Sequence, residues 1–262
     1  MQIFTDIGNT NAKLGLFQET GQLMSILRVT SIQLTSNSGE IETIIRDWIA
    51  DNGVKIEDIQ DWGIASVVPT ITKTLVSICE NSFKLYPEVI TSQNNLGINI
   101  SVDNPDSVGV DRIMNVLAAK KIYGKTPLIV IDLGTATTID VMNKKGDFVG
   151  GIICPGLNLS STALSSTAEQ LPKIKLEFPP QIIGKNTVHA MQSGLMNGHL
   201  NMIQGFIIGI ANELKAEPKI VMTGGLSNVF KNNTSLIAHI QEDLTLIGIK
   251  SAWDFLFQSK DA

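Results

Sequence analysis

The sequence predicts an α/β protein built from two similar halves, and two observations carry this prediction. Short segments rich in aliphatic and β-branched residues recur between segments with helical spacing, which is typical of α/β folds. A strand–turn–strand pattern also occurs twice, once at the N-terminus and once near the middle of the chain. Because repeated patterns indicate repeated architecture, we expect the two halves to share a topology.

The predicted strands are short apolar runs bounded by turn-forming residues. Runs of about four to eight residues are long enough for strands but too short for most helices. They lie at residues 2–6, 12–17, 62–68, 128–132, 137–142, 148–153 and 219–223.

The predicted helices follow from apolar spacing and from capping residues. The first contains apolar residues at helical spacing, namely Ile41, Ile44, Ile45, Trp48 and Ile49. Gly53 follows it, where a C-terminal cap is expected. Pro69 opens a second helix that reaches about residue 81, a third begins near Asp111, and a long one covers residues 187–214.

The long helix contains several glycines, Gly194, Gly198, Gly205 and Gly209. Each would weaken an isolated helix by about 1 kcal/mol relative to alanine. We therefore expect another backbone to pack closely on this helix, either from the same chain or from a second subunit, and we favour a subunit contact.

Composition and charge exclude several classes of protein. A content of 43% hydrophobic and 17% charged residues is typical of a packed globular protein. The formal net charge is −5 and the basic residues are scattered, so a nucleic-acid partner is not expected. The longest apolar stretch, near residues 205–211, is far shorter than the roughly 20 residues of a membrane span, and no signal peptide is recognisable.

The cysteines and histidines suggest no metal centre. Cys79 and Cys154 lie far apart without the spacing of a zinc site or a disulfide framework, so we expect a reducing cytoplasm. The histidines match no ligand or triad spacing and are expected to be structural or exposed: His189, His199 and His239.

The internal repeat carries the most chemical information. Residues 3–10, IFTDIGNT, are echoed by residues 130–137, VIDLGTAT, and each copy continues into a second strand. Glycine permits close approach of the backbone, amides and threonine hydroxyls donate to phosphate oxygens, and aspartate can order a metal ion. One such hairpin is more often an ordinary turn, but two copies favour phosphate binding from both sides of a cleft. Neither a Walker A loop nor a GxGxxG motif is present.

This arrangement resembles the superfamily of acetate kinases, sugar kinases, heat-shock ATPases and actin. The resemblance implies an actin-like ATPase fold, in which two ribonuclease H-like halves form a nucleotide cleft between them. We place the halves at residues 1–113 and 114–262. In the superfamily a Gly-Gly turn holds adenosine, and Gly224 and Gly225 match it, although a strand-ending Gly-Gly is often a simple turn.

Several further motifs resemble those of type III pantothenate kinases. They are Gly109-Val110-Asp111-Arg112 with Asn115, the tract 132–140, the segment 150–156 with Thr167 and Leu171-Pro172, and Gly184-Lys185-Asn186-Thr187 through Gly194. The resemblance implies ATP-dependent phosphorylation of (R)-pantothenate to 4′-phosphopantothenate, the first step of coenzyme A biosynthesis. It also implies a homodimer.

By this resemblance Asp111 is the general base. A helix N-cap paired with Arg112 is the alternative that the residues alone leave open. The implied pantothenate-binding residues are Gly109, Val110, Asp111, Arg112 and Thr187. Thr187 could also cap a helix.

The resemblance likewise implies the cofactor contacts. The ATP-binding residues would be Asp6, Ile7, Gly8, Asn9, Thr10, Asn11, Ala12, Lys13, Thr135, Gly224 and Gly225. Lys13 could equally be a solvated strand residue. Asp132 resembles the ligand of a monovalent cation, K⁺ or NH₄⁺, and Mg²⁺ would enter with ATP.

One residue departs from the family pattern, and two rival functions stay open. Val102 stands just before Asn104-Pro105, where the family often has an aromatic residue that lines the substrate pocket. The rivals are a kinase for another small metabolite and a nucleotide-binding regulator without kinase activity. The motifs around Asp111 and Thr187 argue against both, and the acidic balance argues against direct DNA contact.

Overall fold

The computed structural model describes residues 1–36, 38–124, 126–168, 170–231, 233–234, 236–237 and 239–257. The chain divides into two compact units. The first unit comprises residues 1–122 together with residues 244–262, and the second comprises residues 123–243. Each unit has its own five-stranded sheet with helices, which confirms the predicted α/β class.

The first unit begins with strands β1 (Gln2–Ile7), β2 (Asn11–Phe17) and β3 (Leu23–Thr30). Helices α1 (Ser31–Ser36) and α2 (Ser38–Asp51), a 3₁₀ turn (Ile56–Asp58) and β4 (Asp61–Ser66) follow. Next come α3 (Pro69–Ile78), a π-helical turn (Cys79–Phe83), β5 (Glu88–Ile90), a second 3₁₀ turn (Pro105–Ser107) and α4 (Val110–Tyr123).

The second unit contains β6 (Leu128–Leu133), β7 (Ala136–Met142), β8 (Phe148–Pro155) and α5 (Leu157–Thr167). It continues with α6 (Thr187–Gln192), a π-helical turn (Ser193–Asn197), α7 (Gly198–Leu214), β9 (Lys219–Thr223), α8 (Ser227–Phe230) and β10 (His239–Ile240). The last helix, α9 (Leu244–Phe257), belongs to the first unit.

The two sheets have the same topology. Their strand orders are β3-β2-β1-β4-β5 and, read from the opposite edge, β8-β7-β6-β9-β10. In both, the first strand of the hairpin pairs antiparallel with the second and parallel with the strand on its other side. The repeat recognised in the sequence is therefore a repeat of the whole sheet.

The core of the first unit confirms the predicted helical spacing. Ile41, Ile45 and Ile49 lie on one face of α2 and pack in the cluster that holds the sheet. Gly53, just after α2, has φ of +71°, the left-handed conformation typical of a residue that ends a helix. Pro69 occupies the first turn of α3, where its missing N–H costs nothing.

The long helix predicted at residues 187–214 is present, but a π-helical turn divides it into α6 and α7. A Cβ atom added at any of its glycines would meet no other atom within 4 Å among the described residues: Gly194, Gly198, Gly205 and Gly209. The expectation that another part of this chain packs closely on them is therefore wrong. A contact with a second subunit stays a prediction.

The division into units differs from the predicted halves at residues 1–113 and 114–262. The predicted boundary falls inside α4, which belongs to the first unit up to Ile122. Helix α9 also lies with the first unit, although it follows the second in sequence. Among the described residues, no helix combines the length and the apolar character that a membrane span requires.

Candidate functional site

The first hairpin tip joins β1 to β2. The Gly8 amide donates to the Asn11 carbonyl at 3.0 Å, which closes the turn. Ser31, at the start of α1, donates its hydroxyl to the Gly8 carbonyl at 2.8 Å and its amide to the Thr10 carbonyl at 2.9 Å. Asn9, Thr10 and Asn11 are exposed, so the polar groups of the tip face solvent while α1 fixes its backbone.

Two residues of the predicted ATP-binding stretch point into the core. Ile7 and Ala12 pair across the hairpin and are completely buried. They can therefore contribute to a ligand site only through their backbone. Asp6 and Lys13 also form a cross-strand pair, and both are half-buried, which suits a role at the edge of a polar surface.

The second hairpin tip joins β6 to β7 and is one residue shorter. Its turn closes through a bond of 3.1 Å from the Gly134 amide to the Ala136 carbonyl. Asp132 is consequently opposite Thr138, whereas Asp6 is opposite Lys13. The two copies agree up to the glycine of the turn and diverge after it.

Two glycines outside the hairpin lie directly against the second tip. Gly224 has φ of +93°, and a Cβ atom there would lie 2.6 Å from Oδ1 of Asp132. A Cβ atom at Gly156 would overlap the carbonyl oxygen of Thr135. The structure therefore brings together Asp132, which the sequence analysis assigned to a cation, and Thr135 and Gly224, which it assigned to ATP.

The turn after β9 has a closing residue that the sequence analysis missed. Ser227 donates its hydroxyl to the Gly224 carbonyl at 2.8 Å and its amide at 3.1 Å, and its side chain is completely buried. Gly225 is exposed, and a Cβ atom there would meet nothing within 4 Å. Of the two predicted adenosine-binding glycines, only Gly224 is required by the packing.

A groove lies beside this turn in the second unit and has a volume of about 540 Å³. Its lining includes Leu226, Ser161 and Ser165 of α5, and the two cationic residues Lys173 and Lys175. The sequence analysis named Thr167, at the end of α5, but none of the residues that line the groove, because the Ser and Thr residues of this helix follow no ligand-binding spacing.

A buried histidine contacts the second hairpin at Thr137. Nε2 of His199, on α7, is 2.9 Å from Oγ1 of Thr137, and both side chains are buried. The His199 ring also packs at 6.2 Å against the ring of Phe230, on α8. Burial lowers the pKa of His199, so the imidazole is neutral near physiological pH. Its structural role agrees with the prediction.

Asp111 lies in the first turn of α4, one residue after its beginning. The Gly109 carbonyl accepts from the amides of Arg112 at 3.1 Å and Ile113 at 3.4 Å, so Gly109 is the residue that starts the helix. Oδ1 of Asp111 accepts from the Arg112 amide at 2.9 Å. The alternative interpretation of Asp111 as the N-cap is therefore wrong.

The surroundings of Asp111 adjust its proton affinity. Burial raises the pKa of its carboxyl group, while the Arg112 amide and the Arg112 charge act in the opposite direction. The burial effect is the largest of these, so the pKa of Asp111 is raised overall. A Cβ atom at Gly109 would lie 2.5 Å from Oδ1, so glycine leaves the space that the carboxylate occupies.

Thr187 is the first residue of α6 and is exposed. The cap of this helix is Asn186, whose side chain accepts from the His189 amide at 2.8 Å. The alternative interpretation of Thr187 as the cap is therefore wrong, and its hydroxyl is accessible for another partner. A Cβ atom at Gly184 would overlap the Ala190 amide, which explains the glycine before the cap.

The described residues hold no group of three or more His, Cys, Asp or Glu side chains that could bind a metal ion. Asp140, at the end of the tract 132–140, is completely buried and accepts from the Thr138 hydroxyl at 3.3 Å. A divalent ion would therefore need ligands from a bound molecule or from water in addition to those of the described chain.

Comparison with known proteins gives a match to one family model. The model for type III pantothenate kinase matches residues 2–208, which include both hairpins, α4 and α6.

Solved structures with similar folds cover almost the whole chain. A Campylobacter jejuni protein described as a conserved member of the Baf family of transcriptional activators has 19% identity and a TM-score of 0.58, with 99% of this chain and 100% of that chain covered. The Clostridium difficile activator of 2-hydroxyisocaproyl-CoA dehydratase, solved with ADPNP, has 11% identity and a TM-score of 0.55, with 99% and 97% covered. The ethanolamine utilization protein EutJ of Carboxydothermus hydrogenoformans has 16% identity and a TM-score of 0.54, with 94% and 88% covered. These likenesses confirm the actin-like ATPase fold.

Proposed function

Since the chain belongs to the type III pantothenate kinase family, we propose that it transfers the γ-phosphoryl group of ATP to (R)-pantothenate and forms 4′-phosphopantothenate. This is the first step of coenzyme A biosynthesis. The observation that carries the proposal is that the family match includes both hairpin tips and the start of α4, where Asp111 lies. The chain is accordingly a phosphotransferase with an alcohol as acceptor.

We assign the general base to Asp111. As the pantothenate hydroxyl oxygen bonds to phosphorus, its proton passes to the Asp111 carboxylate and ADP leaves. A base is most effective when its pKa is near the working pH, and burial moves the pKa of Asp111 in that direction. The contact with the Arg112 amide holds one carboxylate oxygen and leaves the other for the hydroxyl.

The neighbours of Asp111 suit an anionic substrate. The amides of Gly109 and Val110 lie at the N-terminal end of α4, where helix amides have no partner within the helix. The Arg112 guanidinium matches the geometry of a carboxylate. Thr187 would add a hydroxyl contact to pantothenate, and the half-buried Val102 would give a less bulky pocket wall than an aromatic residue.

The hairpin tips are the proposed phosphate contacts. Exposed amides and side chains at Asn9 and Thr10 would donate to phosphate oxygens, with Gly8 allowing the phosphate to approach the backbone and Lys13 as a counter-charge, and Thr135 would donate from the second tip. Adenosine would lie against Gly224, with its base in the groove beside Leu226. The groove volume is within the range of small-molecule sites, and its hydroxyls suit the edge of a base.

Two kinds of cation fit this chemistry. Mg²⁺ would be held largely by the phosphate oxygens of ATP. Bound there, it would spread the negative charge that develops on the transferred group. Asp132 would bind K⁺ or NH₄⁺, since its carboxylate lies against the Gly224 turn where backbone oxygens are close.

We further propose a homodimer in the cytoplasm. A Cβ atom added at the glycines of α7 would meet nothing within 4 Å among the described residues beyond the helix's own backbone, and Ile208 on the same helix is 58% exposed. Ile182 and Ile183 are 75% and 81% exposed, which is unusual for isoleucine outside an interface. Both cysteines are free, which suits a reducing compartment.

The test is phosphorylation of pantothenate by the purified protein with ATP and Mg²⁺, in potassium buffer and again in sodium buffer. We expect phosphopantothenate in potassium and less in sodium. Asp111→Asn should lower kcat on the order of 10²- to 10⁴-fold. Asp106→Asn is the matched control, because Asp106 is an exposed carboxylate a few residues earlier, and it should leave kcat unchanged.

Two outcomes would contradict the proposal. A folded, ATP-binding wild type that leaves pantothenate unmodified, yet phosphorylates another small alcohol or acid, would indicate a kinase of different specificity. A protein that binds ATP and transfers phosphate to neither would indicate a nucleotide-binding regulator.

A further inference from the structure

Helix α9 completes the first unit from the far end of the chain. Most of its residues are buried, and it contacts β1, β2, β4 and β5. The rings of Trp253 and Phe4 meet edge to face at a centroid distance of 5.7 Å. The strands that α9 contacts are therefore more than 150 residues away in sequence. The family match ends before this helix, at residue 208.

The backbone of α9 also lies directly against α4, the helix that carries Asp111. A Cβ atom at Gly248 would overlap the carbonyl oxygen of Met114. Met114 is completely buried, so a side chain at position 248 could not be accommodated by a small movement into solvent. The two helices are therefore in contact through their main chains within one turn of Asp111.

A buried polar contact lies at the same place. The Thr245 hydroxyl donates to Oδ1 of Asn115 at 2.8 Å, and the two residues are 6% and 1% exposed. Asn115 is four residues after Asp111, so both side chains are on the same face of α4, one turn apart. Because a buried amide oxygen without its donor is costly, this bond fixes the first two turns of α4 relative to α9.

A third contact secures the other end of α4. Asp254 pairs with Lys250 on α9 and, at 3.6 Å, with Lys121 near the end of α4. Lys250 is almost completely buried and lies over the Phe4 ring at 6.0 Å. Helix α4 thus contacts α9 at Met114 and Asn115 and, through a partly exposed ion pair, at Lys121.

We propose that Thr245 is a positioning residue for Asp111, acting through Asn115. This inference rests on the proposed function, in which Asp111 accepts the proton of pantothenate. An error of about 1 Å in the position of a reacting group can cost roughly 100-fold in rate. The bond from Thr245 therefore sets kcat without contacting any substrate.

The test compares Thr245→Val, which removes the hydroxyl at constant shape, with Thr245→Ser, which retains it. We expect Val to lower kcat about 10- to 100-fold with little change in KM for ATP. Ser should restore most of the activity. Ser251→Ala is the matched control, because the Ser251 hydroxyl bonds only within α9, to the Ile247 carbonyl at 2.7 Å.

A second measurement does not depend on turnover. Hydrogen exchange of the intact Thr245→Val protein should be faster at the amides of Arg112 and Ile113 and unchanged in α2. If wild type fails to phosphorylate pantothenate, the proposed function is lost, and exchange still decides whether Thr245 fixes the first turn of α4. Equal exchange in this turn, or wild-type kcat in the Val variant of an active enzyme, would overturn the inference.

Discussion

The carboxylate of Asp132 and the α-carbon of Gly224 lie so close that a single methyl group would not fit between them. A Cβ atom at position 224 would be 2.6 Å from Oδ1 of Asp132, and the backbone there has φ of +93°. The ends of β6 and β9 therefore meet at a point that admits only glycine.

Replacing Gly224 by alanine should damage nucleotide binding. The added Cβ displaces Asp132 or the turn, and the positive φ adds strain of about 1–3 kcal/mol. We expect KM for ATP to rise at least about tenfold and thermal stability to fall. Gly225→Ala is the control, since nothing lies within 4 Å of a Cβ there. Equal effects of the two substitutions would contradict this account.

Asp111→Asn should stabilise the protein at neutral pH while it removes activity. Burial raises the pKa of Asp111 in the folded state above its value in the unfolded chain, so ionisation disfavours folding. The penalty is present above the folded pKa and disappears as the pH falls below the unfolded pKa. Thermal unfolding at neutral and acidic pH should thus show an advantage for the variant only at neutral pH.

The activity of the wild type should be highest at neutral pH and lost at acidic pH. Because the base must be ionised, kcat should fall as the pH decreases through the raised pKa of Asp111. A kcat that stays constant across the acidic range where the protein remains folded would exclude Asp111 as the base.

Substitutions of two adjacent residues at the start of α6, Asn186 and Thr187, should affect stability and substrate binding separately. Asn186→Ala removes the N-cap of α6, whose side chain accepts from the His189 amide, and should lower the stability by about 1 kcal/mol with a modest effect on kcat. Thr187→Val should leave the melting temperature nearly unchanged and raise KM for pantothenate several-fold. Unfolding and steady-state kinetics on both variants would check this, and a loss of stability in Thr187→Val alone would reverse the assignment.

Gly205→Ala offers a test of the dimer with opposite outcomes. In a monomer the added methyl meets nothing within 4 Å and should stabilise α7 by about 1 kcal/mol. In the proposed dimer a second backbone occupies that space, so the variant should dissociate. Sedimentation of wild type and variant would distinguish the cases. A monomeric wild type and a more stable variant would contradict the proposal.

The elements that the sequence predicted well are those with a local pattern. The hairpins β1–β2 and β6–β7 were predicted from short apolar runs and Asp-x-Gly turns, and α2 from the spacing of its isoleucines. Strand β3 was missed because only one of its eight residues is buried and it carries Ser25 and Arg28. Strands β5 and β10 were missed because two or three residues give no periodicity.

Residues of the candidate site could be predicted where a short sequence motif contains them. They could not be predicted where their contacts are with residues far away in the sequence. Asp132, Thr135 and Gly224 were named from their motifs and lie together. Ser227, which closes the Gly224 turn, and His199, which supports Thr137, have no local signal, because their partners are set by the packing of α7 and α8. The cap of α6 was misplaced by one residue, since Asn and Thr are both good caps.

Because α9 belongs to the first unit but follows the second in sequence, the first unit is completed after the second unit has been translated. The second unit is continuous in sequence, so all of its strands are translated before α9. Until α9 emerges, the sheet that begins at residue 2 lacks the contact of Phe4 with Trp253 and the contacts of β1 with α9. Domains generally complete in order from the N-terminus at about 5–20 residues per second. Here the part of the protein that is translated first is the last to close.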